Sequence, residues 1–139
     1  MTRSLILRLL AAAALAGIAV VHLRIAGNYQ GLGKHPLALN DQFYAQGTAA
    51  IAIAVTLLVK PHLLVWLAAL GFTVASFAGL IYSRYKCLPI YGFDGCFQES
   101  WTVEGAKPAA WFESASLVLT TAGSALAYLS RTRPSLSAG

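Results

Sequence analysis

The sequence predicts an all-α membrane protein, a transmembrane four-helix bundle with an aromatic lid loop over its outer end. Three observations predict it. Apolar residues make up 58% of the 139-residue chain and charged residues only 11%, against roughly 25% charged in an ordinary soluble domain. A soluble domain this short leaves a large share of its surface wet, so this much apolar surface needs lipid as its solvent. The apolar residues also fall into four runs, and none alternates with the period of two that a membrane-barrel strand requires. The length suits a single domain.

The first run covers residues 5–26, interrupted early by Arg8. A second covers 40–59 and opens on Asn40, Asp41 and Gln42, a polar turn suited to the headgroups. The third, 63–83, contains no charge, and the fourth, 109–129, carries only Glu113. About 20 helical residues cross the roughly 30 Å hydrocarbon layer, so all four runs are read as spans. Arg3, Arg8 and the small residues Ala14-Leu15-Ala16-Gly17 also fit a secretory signal with its cleavage site. We read this run as the first membrane helix.

The connections are unequal. Lys60-Pro61-His62 is a tight turn, its proline stopping one helix and opening the next. Residues 27–39, with Gly27, Gly31, Gly33 and Pro36, and residues 84–108 are longer. Such connections often carry function. Residues 131–139 read as a frayed polar tail.

Orientation comes from charge. With the N-terminus inside, the inner segments hold Arg3, Arg8, Lys60, Arg131 and Arg133, and the outer ones Arg24, Lys34, Arg84, Lys86 and Lys107. Counting Lys and Arg alone is indecisive. All the acids (Asp41, Asp94, Glu99, Glu104 and Glu113) then fall outside, as do Cys87 and Cys96, where disulfides persist. The expectation is a bacterial-type cytoplasmic membrane with both termini cytoplasmic.

The second outer loop carries Tyr85, Tyr91, Phe93, Phe97 and Trp101, with turn chemistry at Tyr91-Gly92 and Asp94-Gly95. It reads as a lid folded onto the bundle, or as an aromatic belt at the membrane boundary. Cys87 and Cys96 are expected to form a structural disulfide. A redox pair would favour Cys-x-x-Cys spacing, which is absent. Gly71, Ala75 and Gly79, with Ser76 and Ser83 nearby, form a small-residue stripe. It could seat a neighbouring helix of the same chain, a second copy or another protein.

Polar residues gather at one level. His22, Arg24, Asn28 and Tyr29 close the first helix, and Asn40, Asp41, Gln42, Tyr44 and Gln46 open the second. Tyr82, Ser83 and Arg84 close the third, and Trp111, Glu113, Ser114 and Ser116 open the fourth. Ionisable groups in a membrane point to function, or they staple helices together. Glu113 is expected to find its partner in Arg84, directly or through one neighbour, or in His22; read as staples, the pairs are Arg84 with Glu113 and His22 with Asn40. The ligand-binding set is His22, Tyr29, Asn40, Tyr44, Arg84, Trp101 and Glu113, lining one cavity open to the outer leaflet. The inner half of the bundle is read as nearly all Ala, Leu, Val and Ile. One His and one Glu make no metal-ligand set, and no catalytic triad order, phosphate loop or haem motif is present. The basic residues lie at the ends of apolar runs, which excludes a nucleic-acid footprint.

The run His22…Tyr29, Asn40, Tyr82-Ser83-Arg84…Leu88-Pro89, Trp101 and Glu113 resembles the small DoxX-like four-helix membrane proteins over roughly residues 15–128. The resemblance implies a polar site at one bundle end for a lipophilic, quinone- or isoprenoid-like molecule. It also implies a place as an accessory subunit of a redox complex. Two rival readings remain. One is an enzyme using Glu113, His22 and Tyr44 for acid–base chemistry, and the other is a purely structural subunit. Cys87, Cys96 and the long loop depart from that family's pattern.

Overall fold

Each apolar run becomes a helix in a computed structural model that describes residues 2–132, with side chains from residue 4. The order is α1 (Thr2–Ala26), a 3-10 turn (Gly27–Tyr29), α2 (Leu39–Val59), α3 (Leu63–Tyr85), β1 (Leu88–Pro89), β2 (Cys96–Phe97) and α4 (Ala106–Thr132). Of the predicted tail, residues 131 and 132 end α4; residues 133–139, with Arg133, and the side chain of Arg3 lie outside the described residues. The predicted α4 began at residue 109, yet the helix starts earlier, with Pro108 inside its first turn. A proline costs nothing there, because first-turn N–H groups have no helical partner. Gly105, with φ +88°, turns the chain into the helix.

Three helical stretches are long and apolar enough to cross a membrane: Ser4–Tyr29, Leu39–Val59 and Leu63–Tyr85. The fourth run, read as a span over 109–129, does not reach that hydropathy. Its polar residues lower the mean, but they lie on one face. Glu113, Ser116, Thr120 and Ser124 are buried, while Trp111, Val118, Leu126 and Leu129 are exposed.

α1 packs against α2 and α4, and α3 against α4, while α2 against α3 is the thinnest of these neighbouring contacts. The main apolar core takes Ala11, Leu15 and Ile18 from α1, Ala50, Ala54 and Leu57 from α2, and Trp66 and Ala69 from α3. Small residues set the close approaches. A Cβ at Gly47 would meet Leu23 at 2.6 Å, and one at Gly123 would meet the Trp66 ring at 2.1 Å. The stripe of Gly71, Ala75 and Gly79 plays no such part within the chain. All three are exposed, and a Cβ at either glycine would meet nothing within 4 Å.

The two long loops fold together at one end, here the loop end. The Lys34 N–H donates to the Tyr91 carbonyl (2.9 Å). Tyr29, Leu39 and Ile90 form a second small core with Phe43 and Phe97 against it. Cys87 and Cys96 are disulfide-bonded, Cα atoms 5.2 Å apart, and clamp the antiparallel pairing of Leu88 with Phe97 and Pro89 with Cys96. Tyr85, Tyr91 and Phe93 point outward and are exposed. The opposite, turn end carries Lys60-Pro61-His62, with His62 capping α3 by accepting from the Leu64 N–H (3.4 Å).

Candidate functional site

Burial dictates where polar side chains go in such a chain: each must find a partner or face a cavity. A cavity of about 210 Å³ opens at the loop end. Its wall includes His22 from α1, Gln42 and Gln46 from α2, Ser76 and Arg84 from α3, and Glu99 from the loop. Leu88 and Phe97, beside the disulfide, also line it, so the hairpin forms part of the wall.

Arg84 is held by the loop. Its Nη1 donates to Glu99 Oε2 (2.6 Å) and to the Ser100 carbonyl (3.1 Å), and Trp101 lies 5.3 Å from the guanidinium carbon. The Glu99 N–H donates to the Ser83 carbonyl (3.0 Å), and the Gln98 amide donates to the Arg84 carbonyl (3.3 Å). These bonds satisfy carbonyls that the end of α3 leaves without helical partners. They also carry the Glu99 carboxylate to the guanidinium. Burial pushes the Glu99 carboxyl up to about 7. Both side chains are buried, and breaking such a pair from one side leaves an uncompensated charge.

The expected pairing of Arg84 with Glu113 is therefore corrected: Glu99 takes Arg84. Glu113, 0% exposed, accepts instead from the Ser76 hydroxyl through Oε1 (2.7 Å). His22 Nε2 stands 3.9 Å from that same oxygen. The staple of His22 to Asn40 is corrected as well. His22 Nδ1 bonds the Ile18 carbonyl of its own helix (2.9 Å), and Asn40 Oδ1 is buried without a partner.

The remaining sequence candidates scatter. Tyr29 is buried against Phe43 and Phe97, at ring distances of 4.9 and 5.5 Å, away from the cavity wall. Tyr44 is 44% exposed and off the wall. Trp101 touches the site through Arg84. Sequence reasoning missed Glu99, Ser76, Gln42 and Gln46 as wall residues. Ser76 is three residues from Thr73 and seven from Ser83, a helical spacing that marks one inward polar face.

The reading of an almost wholly apolar inner half is also overturned. Thr73 Oγ1 and Ser116 Oγ are 2.9 Å apart, Thr120 donates to the Ser116 carbonyl (2.7 Å), and Ser124 Oγ is buried without a partner. Glu113, Ser116, Thr120 and Ser124 recur every three or four residues, one buried stripe on α4.

Among the described residues, no group of three or more His, Cys, Asp or Glu side chains is placed to hold a metal ion. No family model matches the chain, and no match is found among curated proteins or solved structures. Chemically, the site offers apolar walls and an ion pair already formed, with Glu113 buried behind His22 and Ser76 rather than on the cavity wall.

Proposed function

We propose that the protein is a four-pass bundle in a bacterial-type cytoplasmic membrane, with both termini inside, that holds a lipophilic molecule by its polar head at the outer, loop end. One observation carries the reading: buried polar residues, among them His22 and the Arg84–Glu99 pair, line a partly open cavity of about 210 Å³. Ligand pockets combine apolar walls with a few placed polar groups. The outward face of α4 is apolar, which supports a fourth crossing with its polar stripe turned inward. The thin contact between α2 and α3 offers lateral entry from the outer leaflet, and the disulfide-clamped hairpin is the lid. The DoxX-like resemblance supports a quinone- or isoprenoid-like occupant and a place beside a redox complex. The nearness of His22 to Glu113 favours a second reading, acid–base chemistry on the same molecule.

Mass spectrometry of solvent extracts from protein purified in native-membrane nanodiscs tests this. The wild type should release a lipophile near one equivalent. Gly79→Phe should release at least about tenfold less at unchanged yield, because Gly79 lines the cavity and its Cβ position is open. A wild type that carries no lipophile above bulk lipid, or a variant loaded like it, overturns the proposal.

A further inference from the structure

We infer that the cavity at the turn end binds an anionic phospholipid, with its phosphate against Arg131 and His62 and one acyl chain along the apolar wall. The inference takes the membrane crossing from the proposed function and does not depend on the molecule held at the loop end.

The cavity, about 540 Å³, lies between the first turns of α1 and α3 and the last turns of α4. Ligand pockets occupy about 300–1,000 Å³, so its size admits a ligand. Charge, not size, marks the ligand's class. Leu7, Leu63, Trp66 and Leu126 make the wall apolar. Leu126 is also 57% exposed, so that wall continues onto the outward face of α4. An acyl chain from the surrounding lipid thus has an apolar path inward.

The mouth of the cavity is cationic. All the acidic side chains of the sequence (Asp41, Asp94, Glu99, Glu104 and Glu113) lie in the loop-end half. Among the described residues Arg131 has no carboxylate partner, and its side chain meets His62 Nε2 instead. The Leu64 N–H points at the same ring, at Nδ1 (3.4 Å). A neutral imidazole accepts at one nitrogen and an imidazolium at none. Two donors therefore share one acceptor at most, and one is left over in every protonation state. Lys60, next to Pro61 of the wall, and Arg8, next to Leu7, add charge of the same sign. A phosphate oxygen supplies the missing acceptor, and the planar guanidinium fork suits it. A free anion would match the charge but leave the apolar wall unused. A zwitterionic lipid would fill the wall but bring its own cation to a cluster of cations. An anionic phospholipid answers both features.

The test is the fluorescence of Trp66, which lies on the wall. Full-length protein with Trp101→Phe and Trp111→Phe keeps it as the sole tryptophan. In phosphatidylcholine nanodiscs, added phosphatidylglycerol with brominated acyl chains is compared with equally brominated phosphatidylcholine, since bromine quenches at contact. The anionic lipid should quench Trp66 at about a tenfold lower mole fraction. Arg131→Gln should cut that preference about fivefold, the share of one basic side chain, and Arg131→Lys should keep most of it. Equal quenching by the two lipids overturns the inference, and so does a preference untouched by Arg131→Gln. Loss of the preference in inorganic phosphate, but not in chloride of equal ionic strength, overturns it in favour of a free anion. Trp111, 77% exposed on α4, serves as sole tryptophan in a companion protein. If brominated phosphatidylcholine quenches Trp111 and neither lipid quenches Trp66, the inference fails alone. If Trp111 also stays unquenched, the membrane crossing fails with it.

Discussion

The protein has a cavity at each end, and they are built in opposite ways. The turn-end cavity is the larger, about 540 Å³ against about 210 Å³. Its walls are apolar side chains such as Leu7, Leu63, Trp66 and Leu126. Its polar groups, His62 and Arg131, are exposed and bonded to each other. The loop-end cavity is smaller, but its wall carries buried polar side chains, His22, Ser76 and Arg84, and Arg84 Nε and Glu99 Oε1 lack partners. Volume does not mark a site. A buried polar atom without a partner costs free energy, and the loop end holds such atoms.

Three experiments sharpen or break this contrast. The largest effect is expected at the loop end. Cys87→Ser with Cys96→Ser opens the hairpin that supplies Leu88 and Phe97 to the wall. Closing a loop of this length contributes about 3 kcal/mol through the unfolded state. Thermal unfolding should drop accordingly and lipophile retention should fall with it; retention at wild-type level would show that the hairpin is no part of the site. At the turn end, Gly123→Ala drives a Cβ into the Trp66 ring and should cost about 1–3 kcal/mol as overpacking. Here the retained lipophile should not change, and a loss would show that the two ends are coupled.

The smallest effect concerns pH. Burial carries the Glu99 carboxyl from an ordinary 4.5 to about 7. Between those values the native state holds a proton that the unfolded chain has released. Its stabilising contribution is therefore full below about 4.5 and lost as pH rises through about 7. Melting temperatures should fall across that window. Glu99→Gln should flatten the slope. An unchanged slope would mean that the Arg84 contact, rather than burial, governs Glu99.

Much of the fold was legible from composition and run length, because a helix needs only a continuous stretch of the right length and content; all four runs became helices, three of them apolar enough to cross a membrane. Cys87 with Cys96 was legible for a similar reason: few residues separate them, and a hairpin with Gly92 and Gly95 brings them together. The convergence of His22 and Arg84 on one end followed from alternating the helix directions.

What the sequence by itself determined, then, was which segments are helical and at which end the polar groups collect. The tertiary structure decided which polar group meets which. Glu99 won Arg84 because the Glu99 backbone N–H and the Gln98 side-chain amide dock the loop on the last carbonyls of α3, a contact that no spacing encodes. Glu113 went to Ser76 because the rotation of α3 against α4 faces those two residues to each other. It also faces Thr73 to Ser116, burying hydroxyls that a hydropathy reading counts only as weakly polar. Tyr44 left the site by the same rule, since its position on α2 points outward. Helix identity is local, set by each run's own apolar content. Partner choice depends on helix rotation and loop docking, which are fixed only when all four helices pack together.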